Sequence, residues 1–204
     1  MAGKTNGGIE RRVFSTKVEV RSAGDDGSIP MSGYAALFDT RAEIYPDFFE
    51  EIAPGAFRDA IGRDDVRLLI NHDPNFVLAR TASGTLRLSE DATGLANDAD
   101  MAPTSYARDL AISMERGDIT QMSFAFRSEA EDWTELPTGA WLRRVNQVQL
   151  FDVSIVTYPA YQGTEAALRS AEMFREKVEE LRQGQRVYSL DLRRRRLRLR
   201  DKAA

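Results

Sequence analysis

Alternating and continuous apolar runs along most of the chain predict a protein built mainly of short β-strands. The run 148–157 (VQLFDVSIVT) is apolar on both faces, which is typical of a strand at the centre of a sheet, and the run 66–71 (VRLLIN) is of the same buried type. The segments on either side of Ser83-Gly84 are predicted to pair with each other across that turn. The shorter strand candidates are residues 12–21, 31–38, 77–80, 85–89, 94–100 and 141–145.

The clearest helix lies immediately before a strand that carries an unusual serine. Thr104 or Ser105 is a good N-cap, and Gly117 is a typical C-terminal stop. A short helical turn is also predicted after Pro54-Gly55. The strand predicted over residues 119–128 follows the helix, so the polypeptide turns directly from the helix into this strand.

The two faces of the strand 119–128 differ in the size of their side chains. Met122, Phe124 and Phe126 share one face, whereas Ser123 and Ala125 share the other, because side chains alternate along a strand. The large groups are expected to fill a core. The small groups on the opposite face predict space for a substrate above Ser123.

The composition excludes several kinds of catalytic site. The 204 residues contain no cysteine and one histidine, which excludes disulfides, thiolate zinc sites, a cysteine nucleophile and a zinc held by several histidines. The formal net charge of −4 is not that of a protein built to coat nucleic acid. No signal peptide or membrane-spanning run is recognisable, so we expect a soluble, intracellular protein.

The single histidine and two other residues form a candidate site for nucleophilic catalysis. His72 follows a buried strand, Ser123 lies on the face of small side chains, and Asp152 lies within a strand where an unpaired carboxylate is costly. A histidine can take the proton of a serine and return it to a leaving group, while a carboxylate orients the imidazole. His72 and Ser123 are therefore the first pair to test as base and nucleophile.

Each of these residues is also compatible with a purely structural role that involves no catalysis. His72 precedes Asp73-Pro74, where a histidine usually bonds to loop backbone, and Ser123 can simply allow close packing. Asp152 can form an ion pair with Arg143 or Arg144. No G-x-S-x-G motif is present, which disfavours an α/β-hydrolase.

Five segments of the chain resemble the prohead (capsid maturation) protease family of tailed bacteriophages, in the family's order and spacing over roughly residues 11–170. A single segment of this kind would be suggestive, but five in order are specific. The segments are GYAALFDT from Gly33, FFEEIAPGAF ending at Phe57, LLINHDPNFVLARTASGTLRL from Leu68, TSYARDLAISMERGDITQMSFAF from Thr104, and LFDVSIVTYPAYQGTEAALRS ending at Ser170.

The resemblance implies an α+β, mainly β fold: an antiparallel β-barrel with flanking helices, similar to the herpesvirus assembly protease. It implies that the nucleophile is Ser123, in MSFAF, and that the base is His72, in NHD. The third catalytic residue is expected at Asp152 in FDVS, where the family often has a glutamate. Ala125 stands where the family frequently has glycine.

The implied function is a serine endopeptidase that acts during phage procapsid maturation. Its expected substrates are the scaffolding protein or the scaffolding segment of the major capsid protein, and also the protease itself, inside the procapsid in the host cytoplasm. We expect no metal, cofactor, membrane or nucleic acid to take part, and self-association remains open. The alternatives are a non-catalytic assembly factor that binds scaffold and a hydrolase of small esters or amides.

The chain is predicted to divide into three parts. Residues 1–10 are polar and glycine-rich and are expected to be disordered, and residues 11–168 are expected to form the protease domain. Residues 169–204 form a helical and basic tail. An apolar seam from Ala167 to Leu181 either docks on the protease domain, pairs with another copy, binds scaffold or stays solvated.

Overall fold

The structure is a computed structural model that describes residues 8–16, 18–21, 27–158, 172 and 174–184. Its strands and helices are β1 Glu10–Ser15, β2 Glu19–Val20, β3 Ile29–Leu37, β4 Ala42–Tyr45, β5 Phe48–Ile52, α1 Arg58–Arg63, β6 Arg67–Ile70, β7 Asp73–Arg80, β8 Leu86–Glu90, β9 Gly94–Met101, α2 Ser105–Glu115, β10 Gln121–Glu135 and β11 Trp141–Val156. Residues 174–184 are helical and are called α3 here.

The described strands form two sheets, which confirms a mainly β fold with few helices. The larger sheet has seven strands, in the order β1-β10-β11-β5-β4, with β6 and β7 beside the other half of β11. The smaller sheet has four strands, in the order β2-β3-β9-β8. The long strand β11 lies at the centre of the larger sheet, as its apolar sequence predicted.

The predicted antiparallel barrel is wrong for the described part of the chain. The larger sheet is mixed, because β5 and β6 both run parallel to β11. A barrel requires a continuous ladder of hydrogen bonds between its last and first strands. The two sheets are instead joined by single contacts, such as the isolated bridge between Phe38 and Ile52 and the 3.3 Å hydrogen bond from Ala102 N–H to Leu78 O.

Three strand predictions also need correction. The strand predicted over residues 12–21 is two strands: β1 pairs with β10 in the larger sheet, and β2 pairs with β3 in the smaller one. The segments on either side of Ser83-Gly84 do not form a ladder with each other, because the turn carries the chain from one sheet to the other: β7 pairs with β6, and β8 pairs with β9. The strands predicted at 141–145 and 148–157 are one strand, β11, which ends at Val156, because β10 pairs along its length and β-bulges accommodate the irregular positions. The N-cap of α2 is confirmed: Ala107 N–H donates to Thr104 Oγ1 at 3.3 Å.

Large apolar side chains on one face of β10 form part of the core, as the alternation predicted. Met122, Phe124 and Phe126 are fully buried. The ring of Phe124 stacks on Phe14 at 6.1 Å between centroids and meets the edge of Phe57 at 5.3 Å. Burying this face fixes the direction of the opposite face, on which Ser123 lies.

A buried network of charges joins four strands at the end of the larger sheet near the start of β11. Arg143 is 1 % exposed and contacts Glu10 at 2.7 Å, Glu50 at 2.9 Å and Glu131 at 2.6 Å. Arg12 contacts Glu50 at 2.6 Å and Glu10 at 2.8 Å. Burial raises the pKa of Glu10, but the guanidinium groups of Arg143 and Arg12 outweigh it and hold that pKa below its ordinary value.

The described part of the C-terminal seam docks on the chain's own larger sheet. Phe174 of α3 stacks on Phe48 at 4.7 Å and on Trp133 at 6.1 Å, and Val178 is buried. The described residues do not include 1–7, 159–171, 173 or the basic run within 185–204. The three-part division of the chain therefore stays a prediction. In the ranges that are described, no helix has the length and apolar character needed to cross a membrane.

Replacing the central cation of the buried network should destabilise the fold strongly. We expect Arg143→Met to lower the free energy of unfolding by about 3–5 kcal/mol, because three buried carboxylates lose a partner. The matched variant Arg144→Met removes an arginine from the next position, where its partners Asp39 and Glu51 lie nearer the surface. Its cost should be about 1 kcal/mol or less. Urea denaturation measures both, and equal losses would contradict a special role for the network.

Candidate active site

The residues predicted to react lie on one face of the larger sheet because of the register of three neighbouring strands. Ser123 of β10 is paired with Ser154 of β11, and Ser154 is paired with Leu69 of β6. Directly paired residues point to the same face of a sheet. His72 follows the end of β6 and therefore reaches this face beside Ser123.

The structure brings His72, Ser123 and Asp152 into direct contact. His72 Nε2 lies 2.7 Å from Ser123 Oγ, and His72 Nδ1 lies 2.6 Å from Asp152 Oδ1. Ser123 is 0 % exposed, and the side chains of His72 and Asp152 are 8 % and 12 % exposed. The site is thus largely shielded from water. The open space predicted above Ser123 is not observed in the described part of the chain, where this side chain is completely buried.

Two alternative interpretations of these residues are wrong. Both ring nitrogens of His72 bond to side chains rather than to loop backbone. Asp152 does not pair with Arg143, which belongs to the buried network, or with Arg144, which contacts Asp39 and Glu51. The carboxylate of Asp152 is instead paired by the histidine and by a neighbouring serine.

The turn that presents His72 has an uncommon backbone conformation. Asn71 and His72 have φ angles of 52° and 58°, in the left-handed region. Asn71 N–H donates to Ile155 O at 2.9 Å, and Thr157 N–H donates to Asn71 Oδ1 at 3.0 Å, so the turn is anchored to β11 and to the residue that follows this strand. Backbone strain of this kind persists only where surrounding contacts hold it, and it concentrates at functional sites.

Ser154 is a part of the site that the sequence did not reveal. Its Oγ donates to Asp152 Oδ1 at 2.8 Å and accepts from His72 N–H at 3.2 Å. Ser154 is completely buried. Its position two residues after Asp152 in a strand predicts the same face, which is the one signal in the sequence that could have identified it.

The arrangement can activate a serine hydroxyl for attack on an acyl carbon. With the imidazole proton on Nδ1, His72 donates to Asp152 and accepts the Ser123 hydroxyl proton at Nε2. Once His72 is protonated, the carboxylate of Asp152 stabilises the positive ring. Ser154 provides a second hydrogen-bond donor to Asp152 Oδ1, and this bond helps to hold the carboxylate in one orientation.

Comparisons with known proteins identify the family. The model of a family described as caudovirus prohead serine protease matches residues 16–179. The chain is 29% identical over 172 residues to the prohead protease of Enterobacteria phage HK97, covering 80% of this chain and 71% of that protein. Among solved structures, the bacteriophage T4 capsid assembly protease aligns with a TM-score of 0.47 and 12% identity, covering 72% of this chain and 98% of that one.

The position of the imidazole proton can be tested directly, because His72 is the only histidine in the chain. We expect ¹⁵N spectra of histidine-labelled protein to show the neutral ring protonated at Nδ1, because Asp152 accepts from that nitrogen. Ser123→Ala should keep this tautomer. Asp152→Asn should lose it, since an amide group can donate to Nδ1. A neutral ring protonated at Nε2 in the unaltered protein would contradict the arrangement.

Proposed function

The chain belongs to the caudovirus prohead serine protease family, and we propose that it is the endopeptidase that cleaves scaffolding protein, or the scaffolding segment of the major capsid protein, while a phage procapsid matures. The observation that carries the proposal is the pair of short contacts that His72 makes, at 2.7 Å to Ser123 Oγ and at 2.6 Å to Asp152 Oδ1. The match to the prohead protease of phage HK97 supports a role as a protease of the prohead.

In the proposed mechanism Ser123 Oγ attacks the carbonyl carbon of the scissile peptide bond. His72 Nε2 takes the hydroxyl proton as the bond forms, and it then gives this proton to the leaving amine when the peptide C–N bond breaks. The product is an ester of Ser123. Water then attacks this ester, and His72 again serves first as base and then as acid, which restores the serine.

Asp152 and its neighbours serve this mechanism by fixing the imidazole. Asp152 keeps the Nδ1 proton in place and stabilises the imidazolium that forms after each proton transfer. Ser154 and Asn71 are positioning residues: one holds Asp152 Oδ1, and the other anchors the turn of His72 to β11. The proposed steps use amino-acid side chains and water, and the proposal includes no metal or cofactor.

The proposed place of action is the interior of the procapsid in the host cytoplasm. Confinement raises the local concentration of the protease and its substrates, so even a weak peptidase can process many copies. The protease itself is a further proposed substrate, and self-association stays open. We also propose a protease domain over residues 11–168 and a tail over residues 169–204. A fold similar to that of the herpesvirus assembly protease is a further proposal.

Co-expression with the scaffolding and major capsid proteins of the same phage tests the function. We expect intact masses to reveal cleavage with the unaltered protein and with Ser113→Ala, a control serine on α2 whose Oγ donates to Asp109 O. Ser123→Ala and His72→Ala should each lower the cleavage rate by at least about 10³-fold. The double variant should be no slower than either one, because the two residues act as a unit.

The same experiment separates the protease from a non-catalytic assembly factor. An assembly factor would leave both partner proteins uncut while still binding scaffold, and the Ser123→Ala and His72→Ala variants would support assembly as well as the unaltered protein does. Cleavage that persists in folded Ser123→Ala would contradict the proposed nucleophile.

A further inference from the structure

A row of arginines crosses the same face of the sheet as the catalytic residues. Register pairs Arg11 with Ala125, Ala125 with Asp152, Asp152 with Arg67, and Arg67 with Arg80. These five residues therefore lie side by side on β1, β10, β11, β6 and β7, with their side chains on one face. Arg11 therefore lies on the β1 side of Asp152, and Arg67 and Arg80 lie on its β7 side.

Positive charge in this row exceeds the acidic charge beside it. Asp65 is the shared partner of Arg67, at 3.1 Å, and of Arg80. Asp152 is already engaged by His72. In the described part of the chain no carboxylate pairs with Arg11, and its side chain is exposed.

A fourth arginine extends the basic surface along β10. Arg127 lies two residues beyond Ala125 and therefore on the same face. Its guanidinium lies over the ring of Phe151 at 5.5 Å and donates to the side-chain oxygen of Gln149 at 3.1 Å. This local charge contrasts with the net charge of −4 for the whole chain.

Arg11 lies close enough to Ser123 to contact a bound substrate. The two residues are on neighbouring strands and offset by two positions, so their Cα atoms are about 8 Å apart from the usual strand spacing and rise. An extended substrate advances about 3.4 Å per residue. A side chain within three residues of the scissile bond can therefore reach the Arg11 guanidinium.

We propose, on the basis of the protease function above, that Arg11 binds an aspartate or glutamate side chain of the substrate within three residues of the scissile bond. A guanidinium and a carboxylate form charge-assisted, often bidentate hydrogen bonds, which confer specificity as well as affinity. Arg67 and Arg80, which share the single carboxylate of Asp65, add a favourable electrostatic field over the same face, and this field attracts acidic polypeptide segments.

Cleavage-site profiling tests this inference. The full chain is incubated with a library of peptides obtained from denatured bacterial proteins, and the new termini are sequenced by mass spectrometry. We compare the unaltered protein, Arg11→Gln, the control Arg116→Gln and Ser123→Ala as the inactive baseline. Arg116 is suited to the control because it lies at the end of α2 with its side chain 70% exposed and paired to Asp118.

The unaltered protein and Arg116→Gln should show enrichment of aspartate or glutamate at one position within three residues of the cut. In Arg11→Gln this enrichment should disappear. For a peptide containing the preferred acidic residue, Arg11→Gln should lower kcat/KM by about 10- to 100-fold, and the loss should largely vanish when that residue is changed to its amide.

Three other outcomes would overturn the inference, and they can be told apart. Cleavage without acidic enrichment, or enrichment that survives in Arg11→Gln, would overturn acidic recognition while leaving the protease function intact. Absence of Ser123-dependent cleavage in the library and in the co-expressed capsid proteins would overturn the proposed function, and the inference with it.

Discussion

The register of β11 between β10 and β6 is the constraint on which the site depends. It aligns Ser123 with Ser154 and places the end of β6, and hence His72, beside them. Because side chains alternate along a strand, a slip of one residue would turn Asp152 and Ser154 toward the core and bring Val153 and Ile155 to the catalytic face. Burial of Val153 and Ile155 therefore holds the catalytic face in place.

Polar groups reinforce this register at both ends of the larger sheet. Near the start of β11, Arg143 joins Glu10, Glu50 and Glu131, and these contacts tie β1, β5 and β10 to β11. Near its other end, β11 supplies the atoms that hold the left-handed turn of His72. A wrong register would leave buried charges unpaired at one end and the strained turn unsupported at the other. The same contacts thus specify the fold and keep His72 ready to accept a proton.

Local patterns in the sequence predicted much of this site but little of the sheet's connectivity. Alternation around Ser123 identified its face, and the apolar run around Asp152 identified a central strand with a costly carboxylate. The barrel was implied by the family resemblance, and it was wrong because neither shared motifs nor local periodicity specifies which distant strands pair. For the same reason, the contact of Arg143 with Glu10 across 133 positions, and the role of Ser154, could be recognised only once the register was known.

The most direct test of the account is the covalent labelling of Ser123 by a phosphonofluoridate, an analogue of the tetrahedral reaction intermediate, in a preparation that cleaves its capsid substrate. Intact mass and peptide mapping should give one adduct, on Ser123, and none in folded Ser123→Ala or His72→Ala. An adduct on another residue, or labelling of Ser123 that is unchanged without His72, would contradict the activation of this serine by its histidine.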